Sequence, residues 1–322
     1  MSRRENSVEN TSELHVILGT GPLGQATMRE LLRRGKAVRM VNRSGRADLP
    51  PGVDVVAGDL YQPARVRELC ADAAVVYQCA QPAYQDWQAK FPSLQASIVE
   101  GVAASGAKLI VAENLYMYGQ VNGPMTEDLP HAATTRKGRT RARTSEALLE
   151  AHRAGKVRVA IGRASDFYGP GVLESALGER VFSPALVGKS ASAIGDLNQP
   201  HSYTFIDDFG TALVNLGERD EALGQVWHVP NAPTVSTRAA LTALFGLLDM
   251  PPKMSGMGRL MMRLGGIFIP GARETVELMY EFEHPFIVDH RKYARTFGDH
   301  ATPLQEGLRQ TIAWYRAHPH NG

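Results

Sequence analysis

Short apolar runs and longer amphipathic segments follow one another along residues 13–230. Within each run, apolar and polar positions do not alternate, which is typical of strands covered on both faces of a sheet. The segments between the runs have the length and spacing of helices, so the pattern predicts parallel strands joined by helical crossovers. The predicted strands are residues 15–18, 37–41, 53–56, 75–77, 109–112, 157–161 and 226–229.

The rest of the chain has a different pattern, in which prolines separate apolar segments of helix length. We therefore expect an α/β protein with a doubly wound parallel sheet and a smaller, mostly helical C-terminal lobe. The predicted division is a disordered arm at residues 1–12, a nucleotide-binding domain at 13–165 and 202–230, and the substrate lobe at 166–201 and 231–322. The predicted helices include residues 25–34, 144–153, 207–216 (capped by Asp207 or Asp208), 237–248, 256–264, 273–282 and 303–317.

A glycine-rich turn follows the first predicted strand and opens the first predicted helix. Its sequence is Gly19-Thr20-Gly21-Pro22-Leu23-Gly24. In such a turn the first glycine allows a tight bend, the second lets the backbone approach a pyrophosphate, and the third lets helix and strand pack closely. Unpaired amides at the helix N-terminus favour an anion at the same place. The turn therefore predicts a dinucleotide site of the Rossmann type.

The end of the second predicted strand bears on which dinucleotide binds. Domains of this type that select NAD usually carry Asp or Glu about 20 residues after the glycines, where the carboxylate binds a ribose hydroxyl. This chain instead has Asn42, Arg43 and Ser44 there. A guanidinium offers two parallel donors to a phosphate. We therefore expect NADP(H), with Arg43 and Ser44 on the 2′-phosphate, Arg39 or Arg46 assisting, and NAD(H) as the alternative.

Several short motifs follow the later strands in an order that is similar to a known family. They are Gly58-Asp59-Leu60, Tyr116-Met117-Tyr118-Gly119, Asp166-Phe167-Tyr168-Gly169-Pro170-Gly171, Thr204-Phe205-Ile206-Asp207-Asp208, the stretch 302–308, and Trp314-Tyr315. Together with the glycine turn, they resemble the NAD-dependent epimerase/dehydratase family, the extended short-chain dehydrogenases/reductases. The resemblance covers nearly the whole chain.

The resemblance implies roles for residues around the cofactor and the substrate. It also implies that the chain pairs with a second copy through two helices that flank the sheet. The implied contacts are Asp59 and Leu60 for the adenine, Cys79, Ala80 and Gln81 for the cofactor at the end of the fourth strand, and Tyr168 and Gly169 for the substrate.

The proton-transfer motif of the family is replaced in this chain. Members that oxidise or epimerise use Ser or Thr after the fifth strand and Tyr-x-x-x-Lys on the next helix. There the phenolate takes the hydroxyl proton, and the ammonium binds the nicotinamide ribose. Here the fifth strand is followed by Asn114, and the tyrosine and lysine positions are Lys137 and Arg141.

The replacement pair offers its own route to proton transfer. Lys137 and Arg141 are four residues apart, so we expect them to share one helix face. The charge of Arg141 is then expected to lower the pKa of Lys137, which acts as general acid while Asn114 polarises the substrate oxygen. Tyr116 or Tyr118 is the alternative donor. In the competing interpretation, Lys137 belongs to the solvated start of a basic helix.

Two further groups of residues favour core packing by their spacing and type. Tyr84, Trp87 and Phe91 have helical spacing, and their alternative role is a wall of the substrate pocket, with Trp87 as the contact. Flexible methionines of the C-terminal lobe suit an adaptable apolar surface as well as a core. They are Met254, Met257, Met261, Met262 and Met279.

Composition and charge narrow the range of partners. The 322 residues include 35 Lys and Arg against 33 Asp and Glu, a net charge of +2, so neither nucleic acid nor a membrane is the expected partner of the whole molecule. The ten histidines and two cysteines lack the spacing of metal ligands, and no GxSxG turn is present. The polar N-terminus lacks the apolar core of a secretory signal. We expect a small-molecule substrate, no metal and a cytoplasmic location.

The leading interpretation is an enzyme that transfers hydride between nicotinamide and a carbonyl or alcohol, by resemblance an oxidoreductase or epimerase/dehydratase. The alternative is a non-catalytic NADP(H)-binding protein that senses redox state or binds a partner, which the replaced tyrosine motif would allow. A third interpretation, a nucleotide-sugar enzyme, needs a diphosphate site in the C-terminal lobe, with Arg263, Arg273 and Arg291 as candidates.

Overall fold

The computed structural model describes residues 13–319, so the arm expected at residues 1–12 lies outside the described residues. No helix in this described part is both long enough and apolar enough to cross a membrane.

The strands are β1 (Leu14–Leu18), β2 (Ala37–Asn42), β3 (Asp54–Ala57), β4 (Ala73–Gln78), β5 (Lys108–Glu113), β6 (Arg158–Arg163), β7 (Asp166–Tyr168), β8 (Ala191–Ile194), β9 (Pro200–His201), β10 (Tyr203–Phe205), β11 (Val226–His228), β12 (Val235–Ser236) and β13 (Met254–Met257). The helices are α1 (Pro22–Arg33), α2 (Pro63–Leu69), α3 (Trp87–Ser105), α4 (Arg136–Arg153), α5 (Glu179–Leu186), α6 (Ile206–Glu218), α7 (Thr237–Leu247), α8 (Arg259–Gly265), α9 (Pro270–Thr275), α10 (Tyr280–Glu283), α11 (Arg291–Phe297) and α12 (Leu304–Ala317). Single 3-10 turns lie at Tyr84–Asp86, Tyr116–Tyr118, Asp220–Ala222 and Val276–Leu278.

Seven parallel strands form the central sheet in the order β11-β6-β5-β4-β1-β2-β3. From β1 the chain winds outward through β2 and β3 on one side and through β4, β5 and β6 on the other. The direction of winding therefore reverses between β1 and β4. Open α/β sheets bind ligands at the carboxyl ends of the strands where this reversal occurs. The predicted doubly wound parallel sheet is confirmed.

Helices cover both faces of this sheet. On one face, α1 and α6 pack against the strands and each other, with Leu31 and Leu213 fully buried. On the other face, α2, α3 and α4 contribute Val66, Ile98 and Leu148, which are equally buried. Because helices cover both faces of the sheet, side chains on both faces are apolar. The strand sequences therefore show continuous apolar runs rather than alternating apolar and polar positions.

A separate apolar cluster lies in the C-terminal region and joins α5, α7 and α12. Phe182 of α5 stacks on Tyr315 of α12, with ring centroids 5.1 Å apart. β8 pairs in parallel with β13, so residues 191–194 lie beside residues 254–257. These contacts join the segment that follows β7 to the C-terminal helices around one core.

Three details of the predicted helices are wrong. Residues 256–264 begin in strand β13 and only then form α8, and residues 273–282 form short helical pieces rather than one helix. Helix α6 has no side-chain cap, because its N-cap residue is Phe205 and both candidate carboxylates lie within the first turn. Asp208 accepts hydrogen bonds from the backbone and hydroxyl of Thr302, and Asp207 pairs with Arg29.

Candidate functional site

The glycine turn lies at the carboxyl end of β1, and each of its glycines has a different surrounding. Gly19 has φ of +115°, and a Cβ there would lie 3.0 Å from the Ala80 nitrogen. A Cβ on Gly24 would lie 2.2 Å from the Gly19 oxygen, closer than packing allows. A Cβ on Gly21 would meet no atom within 4 Å. Gly19 and Gly24 are thus required by the fold, whereas Gly21 borders open space.

Helix α1 begins directly at this open space. Pro22 occupies its first turn, Gly21 is its N-cap without a side-chain bond, and the first turn holds no acidic residue. The free amides and the positive end of the helix dipole therefore face a volume with room for a phosphate. These features fit a dinucleotide pyrophosphate.

The turn after β2 is organised by Asn42. Its amide nitrogen donates to the Thr20 hydroxyl at 3.0 Å, and its Oδ1 accepts from the backbone of Ser44 at 3.0 Å and of Gly45 at 2.7 Å. Arg43 and Ser44 are exposed, and Arg43 forms no ion pair with any described residue. The loop thus has a guanidinium without an ion-pair partner among the described residues, and a hydroxyl, at the place where NAD-selective domains usually carry a carboxylate.

Arg39 does not share this loop. Its Nε is 3.0 Å from the Asp54 carboxylate, and its guanidinium also donates to the Leu69 carbonyl at 3.1 Å. Arg39 therefore holds β2, β3 and α2 together, whereas Arg46, the other residue expected to assist, is exposed in the loop.

The remaining cofactor candidates lie at the ends of β3 and β4. Asp59 is exposed and caps the turn before α2, accepting from Tyr61 and Gln62, while Leu60 is buried beside it. The backbone nitrogen of Cys79 donates to the Leu18 oxygen at 3.0 Å, which places the end of β4 beside the glycine turn. Burial raises the pKa of the Cys79 thiol to about 12, so this thiol is not a nucleophile. Half-buried Ala80 and exposed Gln81 continue the same loop.

Lys137 lies in the first turn of α4, which begins eight residues earlier than the predicted start at residue 144. Thr135 caps this helix, its side chain accepting from the Gly138 nitrogen at 3.0 Å. Lys137 is 3% exposed, and its ammonium pairs with the carboxylates of Glu274 and, at 2.9 Å, Glu277. The basic helix start is therefore not solvated at Lys137.

Arg141 lies one turn further along α4 and is also buried. Its guanidinium lies 4.5 Å from the Phe91 ring centre and 5.6 Å from that of Trp87, and 3.5 Å from the Glu113 carboxylate. Lys137 and Arg141 thus have separate anionic partners, Glu274 and Glu277 for the ammonium and Glu113 for the guanidinium. The Arg141 Nε has no hydrogen-bond partner in the described structure, so this buried donor remains for a ligand oxygen.

Two phenols adjoin Lys137. The Tyr84 hydroxyl donates to the Tyr116 hydroxyl at 3.1 Å, and the Lys137 ammonium lies 4.6 Å from the centre of the Tyr84 ring. Burial raises the pKa of both phenols well above the usual range. Asn114 supports this arrangement through its Oδ1, which accepts from the Tyr116 nitrogen at 3.3 Å. Lys137, Tyr84, Tyr116 and Asn114 thus form one polar group at the carboxyl end of β5, named here the β5 cluster.

Three further expected site residues have buried side chains. The Tyr118 hydroxyl accepts from Arg163 at 2.6 Å and contacts His228 at 2.9 Å, and burial raises its pKa to about 12. Trp87 is buried and donates to the Pro82 oxygen at 3.2 Å. Tyr168 is fully buried in the C-terminal core, where a Cβ on Gly307 would lie 2.3 Å from its hydroxyl. All three side chains are thus buried, and the Tyr168 hydroxyl has no hydrogen-bond partner in the described structure.

Gly169 remains near the cleft through its backbone. Its φ is +137°, and a Cβ there would lie 2.6 Å from the Ile206 side chain. The bend brings Gly171 toward the start of α1, where its Cβ would lie 3.9 Å from that of Pro22. The turn after β7 therefore borders the glycine turn with backbone rather than side chain.

The sequence interpretation missed Glu274 and Glu277, and it favoured a packing role for Tyr84, with a wall of the substrate pocket as the alternative. Glu274 is 137 residues from Lys137, and no local motif marks it. Of the candidate diphosphate residues, Arg291 pairs with Asp289 at 2.5 Å. Among residues 13–319, no group of three or more His, Cys, Asp or Glu side chains is arranged to hold a metal ion.

Known proteins are similar to this chain in sequence and in structure. The dTDP-glucose 4,6-dehydratase of Mycobacterium tuberculosis H37Rv is 22% identical over 286 residues, which cover 85% of this chain and 81% of that protein. The structure of dTDP-glucose 4,6-dehydratase from Bacillus anthracis in complex with NAD matches with a TM-score of 0.78 and 15% identity, covering 96% of this chain and 98% of that one.

A second solved structure is similar to the same extent. It is the UDP-glucuronic acid 4-epimerase from Bacillus cereus in complex with UDP-glucuronic acid and NAD, with a TM-score of 0.76, 17% identity, and coverage of 94% of this chain and 99% of that one. At these identities the likeness concerns the fold. The family model for the NAD dependent epimerase/dehydratase family matches residues 16–229, which span the central sheet from β1 to β11. The chain belongs to the NAD-dependent epimerase/dehydratase family.

Proposed function

We propose that this protein binds NADP(H) and catalyses hydride transfer between the nicotinamide and a carbonyl or alcohol group of a small-molecule substrate. The observation that carries the proposal is the β5 cluster, which places an ammonium and two phenols at the same edge of the sheet as the glycine turn. When bound, the cofactor supplies or accepts the hydride.

The preference for NADP(H) rests on the loop after β2. Arg43 and Ser44 are exposed there without an acidic partner among the described residues, and Arg46 follows two residues later. A 2′-phosphate satisfies the unpaired guanidinium, whereas a ribose hydroxyl offers it no negative charge. This preference would distinguish the chain from the B. anthracis and B. cereus structures, which hold NAD.

The β5 cluster supports a hydrogen-bonding role toward a developing alkoxide. Because burial keeps Tyr84 and Tyr116 protonated, these phenols donate hydrogen bonds and do not act as phenolate bases. The ammonium of Lys137 is the cluster's cationic proton donor, and Glu274 and Glu277 hold it in place. Asn114 uses its Oδ1 within the turn, so its amide nitrogen remains as a donor to the substrate oxygen.

Removing the ammonium of Lys137 tests the proposed chemistry. We expect Lys137→Ala to lower turnover by about a hundredfold or more, the usual scale for a lost general acid, while NADPH binding persists. Lys189→Ala, at an exposed lysine that follows α5, is the matched control. Turnover equal to wild type in Lys137→Ala would exclude Lys137 as the proton donor. Lys137→Met preserves the apolar stem over Tyr84 and serves if the alanine variant unfolds.

The burial of Lys137 also favours a second candidate, a non-catalytic NADP(H)-binding protein. With 3% of the residue exposed and two carboxylates bound, the ammonium has the environment of a structural ion pair. This candidate predicts tight NADPH binding and no turnover with any aldehyde, ketone or nucleotide-sugar substrate. Turnover that falls in Lys137→Ala separates the two.

We further propose that the chain pairs with a second copy through α3 and α4, as its family resemblance implies. A groove of about 370 Å³ between these helices supports this, with Pro92, Val99, Ala147 and Leu148 in its walls. Sedimentation velocity of the wild type against Ala147→Glu tests the pairing, since a carboxylate in this groove would separate the copies.

A further inference from the structure

Six large apolar side chains are exposed within ten consecutive residues of the C-terminal region. We name this stretch, residues 260–269, the apolar tip. Its exposed fractions range from 57% for Leu264 to 85% for Phe268. The other large apolar residues of comparable exposure in the described structure, Tyr61 and Val187, are isolated in sequence. The six side chains are Leu260, Met261, Leu264, Ile267, Phe268 and Ile269.

The apolar tip is anchored to the protein by its opposite side. Met262 is buried and packs in one cluster with Met279, Phe282 and Ile194. The chain then turns tightly, since a Cβ on Gly266 would lie 2.8 Å from the Cα of Arg273. Helix α8 and the turn before α9 are therefore held in place while their outer side chains face away from the protein.

Positive charge surrounds the apolar tip. Residues 250–273 contain one lysine and three arginines and no aspartate or glutamate. Arg259 pairs with Glu283, whereas Arg263 is exposed and forms no ion pair with a described residue. Arg273 is also exposed, with only a 4.0 Å contact to Glu274. The net charge of +2 for the whole chain thus conceals a local excess of cations at this surface.

Apolar side chains that project between exposed cations match one kind of surface. Large apolar side chains enter the boundary between headgroups and acyl chains, while arginines bind the anionic headgroups around them. We propose that the apolar tip docks the protein on the surface of an anionic lipid bilayer. Helices α8 and α9 have seven and six residues, so this segment lies on the bilayer and does not span it.

Vesicle flotation of the full-length protein tests the proposal. The probes are phosphatidylcholine vesicles with and without phosphatidylglycerol, at low and at high salt. We expect the wild type to float with the phosphatidylglycerol vesicles, and Phe268→Ser to bind them about tenfold more weakly. Tyr61 is an exposed aromatic residue between β3 and α2, far from the apolar tip in sequence. Tyr61→Ser is the matched control and should bind the vesicles as the wild type does.

The arginines give an independent measurement on the same vesicles. Arg263→Gln and Arg273→Gln should each weaken binding about fivefold, and high salt should have a similar effect. Failure of the wild type to float, or equal flotation of Phe268→Ser, would overturn the proposal. So would a dimer in lipid-free solution that Phe268→Ser dissociates, because the apolar tip would then be covered by a second copy. All four substituted positions are exposed, and a thermal melt compares each variant's fold with the wild type.

Discussion

At the scale of single residues, the three glycines of the nucleotide turn have different reasons to lack a side chain. Gly19 needs its positive φ, and Gly24 lies against the Gly19 carbonyl, so both are fixed by the backbone itself. Gly21 has an ordinary φ of −71° and open space beside it. Its lack of a side chain is therefore explained by a ligand rather than by the protein.

This difference predicts opposite results for two alanine substitutions. Gly24→Ala should unfold the turn and lower the melting temperature, because its methyl group would lie 2.2 Å from a carbonyl oxygen. Gly21→Ala should cost about 1 kcal/mol of stability or less. It should nevertheless weaken NADPH binding about tenfold or more, the scale of one lost hydrogen bond to a charged group.

Thermal melts and fluorescence titrations with NADPH check both variants. Normal NADPH binding by Gly21→Ala would show that no phosphate lies against this glycine. A stable Gly24→Ala would show that the turn relaxes more readily than its backbone contacts indicate.

Two buried histidines make stability depend on pH. Burial lowers the pKa of His15 from 6.5 to about 4 and that of His228 from 6.5 to about 3. As the pH falls, these two histidines therefore bind protons near pH 6.5 in the unfolded chain but only at lower pH in the folded protein. Stability should be full above pH 6.5 and fall as the pH decreases toward 4, by roughly 1.4 kcal/mol per pH unit for each extra proton at most.

Urea unfolding on both sides of this pH window measures the effect. His15→Phe should reduce the slope because it removes one proton from the difference between the two states. His284→Phe, at an exposed position, should leave the slope unchanged. An unaltered slope in His15→Phe would mean that His15 is protonated in the folded protein.

How far the sequence predicts a residue's role depends on how local its partners are. The structures of the glycine turn and of the Asn42-Arg43-Ser44 loop each depend on contacts within a few residues, and both lie at the predicted places. The environment of Lys137 depends instead on carboxylates 137 and 140 residues away. Tyr118 follows the same strand as Tyr116, but contacts with Arg163 and His228 direct its hydroxyl into the interior.

At the scale of elements, residues 270–283 connect the C-terminal region to the cleft. This stretch, named here the closing segment, contains α9, a 3-10 turn and α10. Helix α9 contacts the turn that carries Tyr84, and the carboxylates of Glu274 and Glu277 reach Lys137 of α4. The closing segment is thus held to the sheet domain by ion pairs as well as by apolar packing.

Neutralising these carboxylates should loosen the closing segment. In Glu274→Gln with Glu277→Gln, we expect hydrogen exchange of residues 270–283 to be about tenfold faster, because a buried ion pair is lost, while exchange in α1 stays unchanged. Glu306→Gln removes a surface pair with Arg309 and is the matched control. Unchanged exchange in the double variant would mean that apolar contacts alone hold this segment.

The predicted elements were correct where the pattern was long and fully covered. All seven central strands were predicted within two residues of their ends, because burial on both faces gives an unbroken apolar run. The prediction was wrong at residues 256–282, where a strand and short helical pieces replace two helices. These pieces are too short for helical propensity to decide, and contacts with β8, Tyr84 and Lys137 fix them instead.

At the scale of the whole molecule, the fold brings two polar regions to one edge of the sheet. The glycine turn and the Arg43 loop lie at the ends of β1 and β2, and the β5 cluster lies two strands away from β1. Average charge and composition predicted neither this arrangement nor the basic apolar tip, since both arise from local concentrations of residues. The proposed function depends on a phosphorylated dinucleotide binding at this edge.

Parallel fluorescence titration of the wild type and Arg43→Ala with NADPH, NADP⁺, NADH and NAD⁺ tests this claim most directly. The wild type should bind NADPH and NADP⁺ more tightly than NADH and NAD⁺. Arg43→Ala should lose about tenfold in affinity for NADPH, the scale of one charge-assisted pair, with little change for NADH. Equal or tighter binding of NADH by the wild type would contradict the role of Arg43, and absence of binding by all four would contradict the dinucleotide site itself.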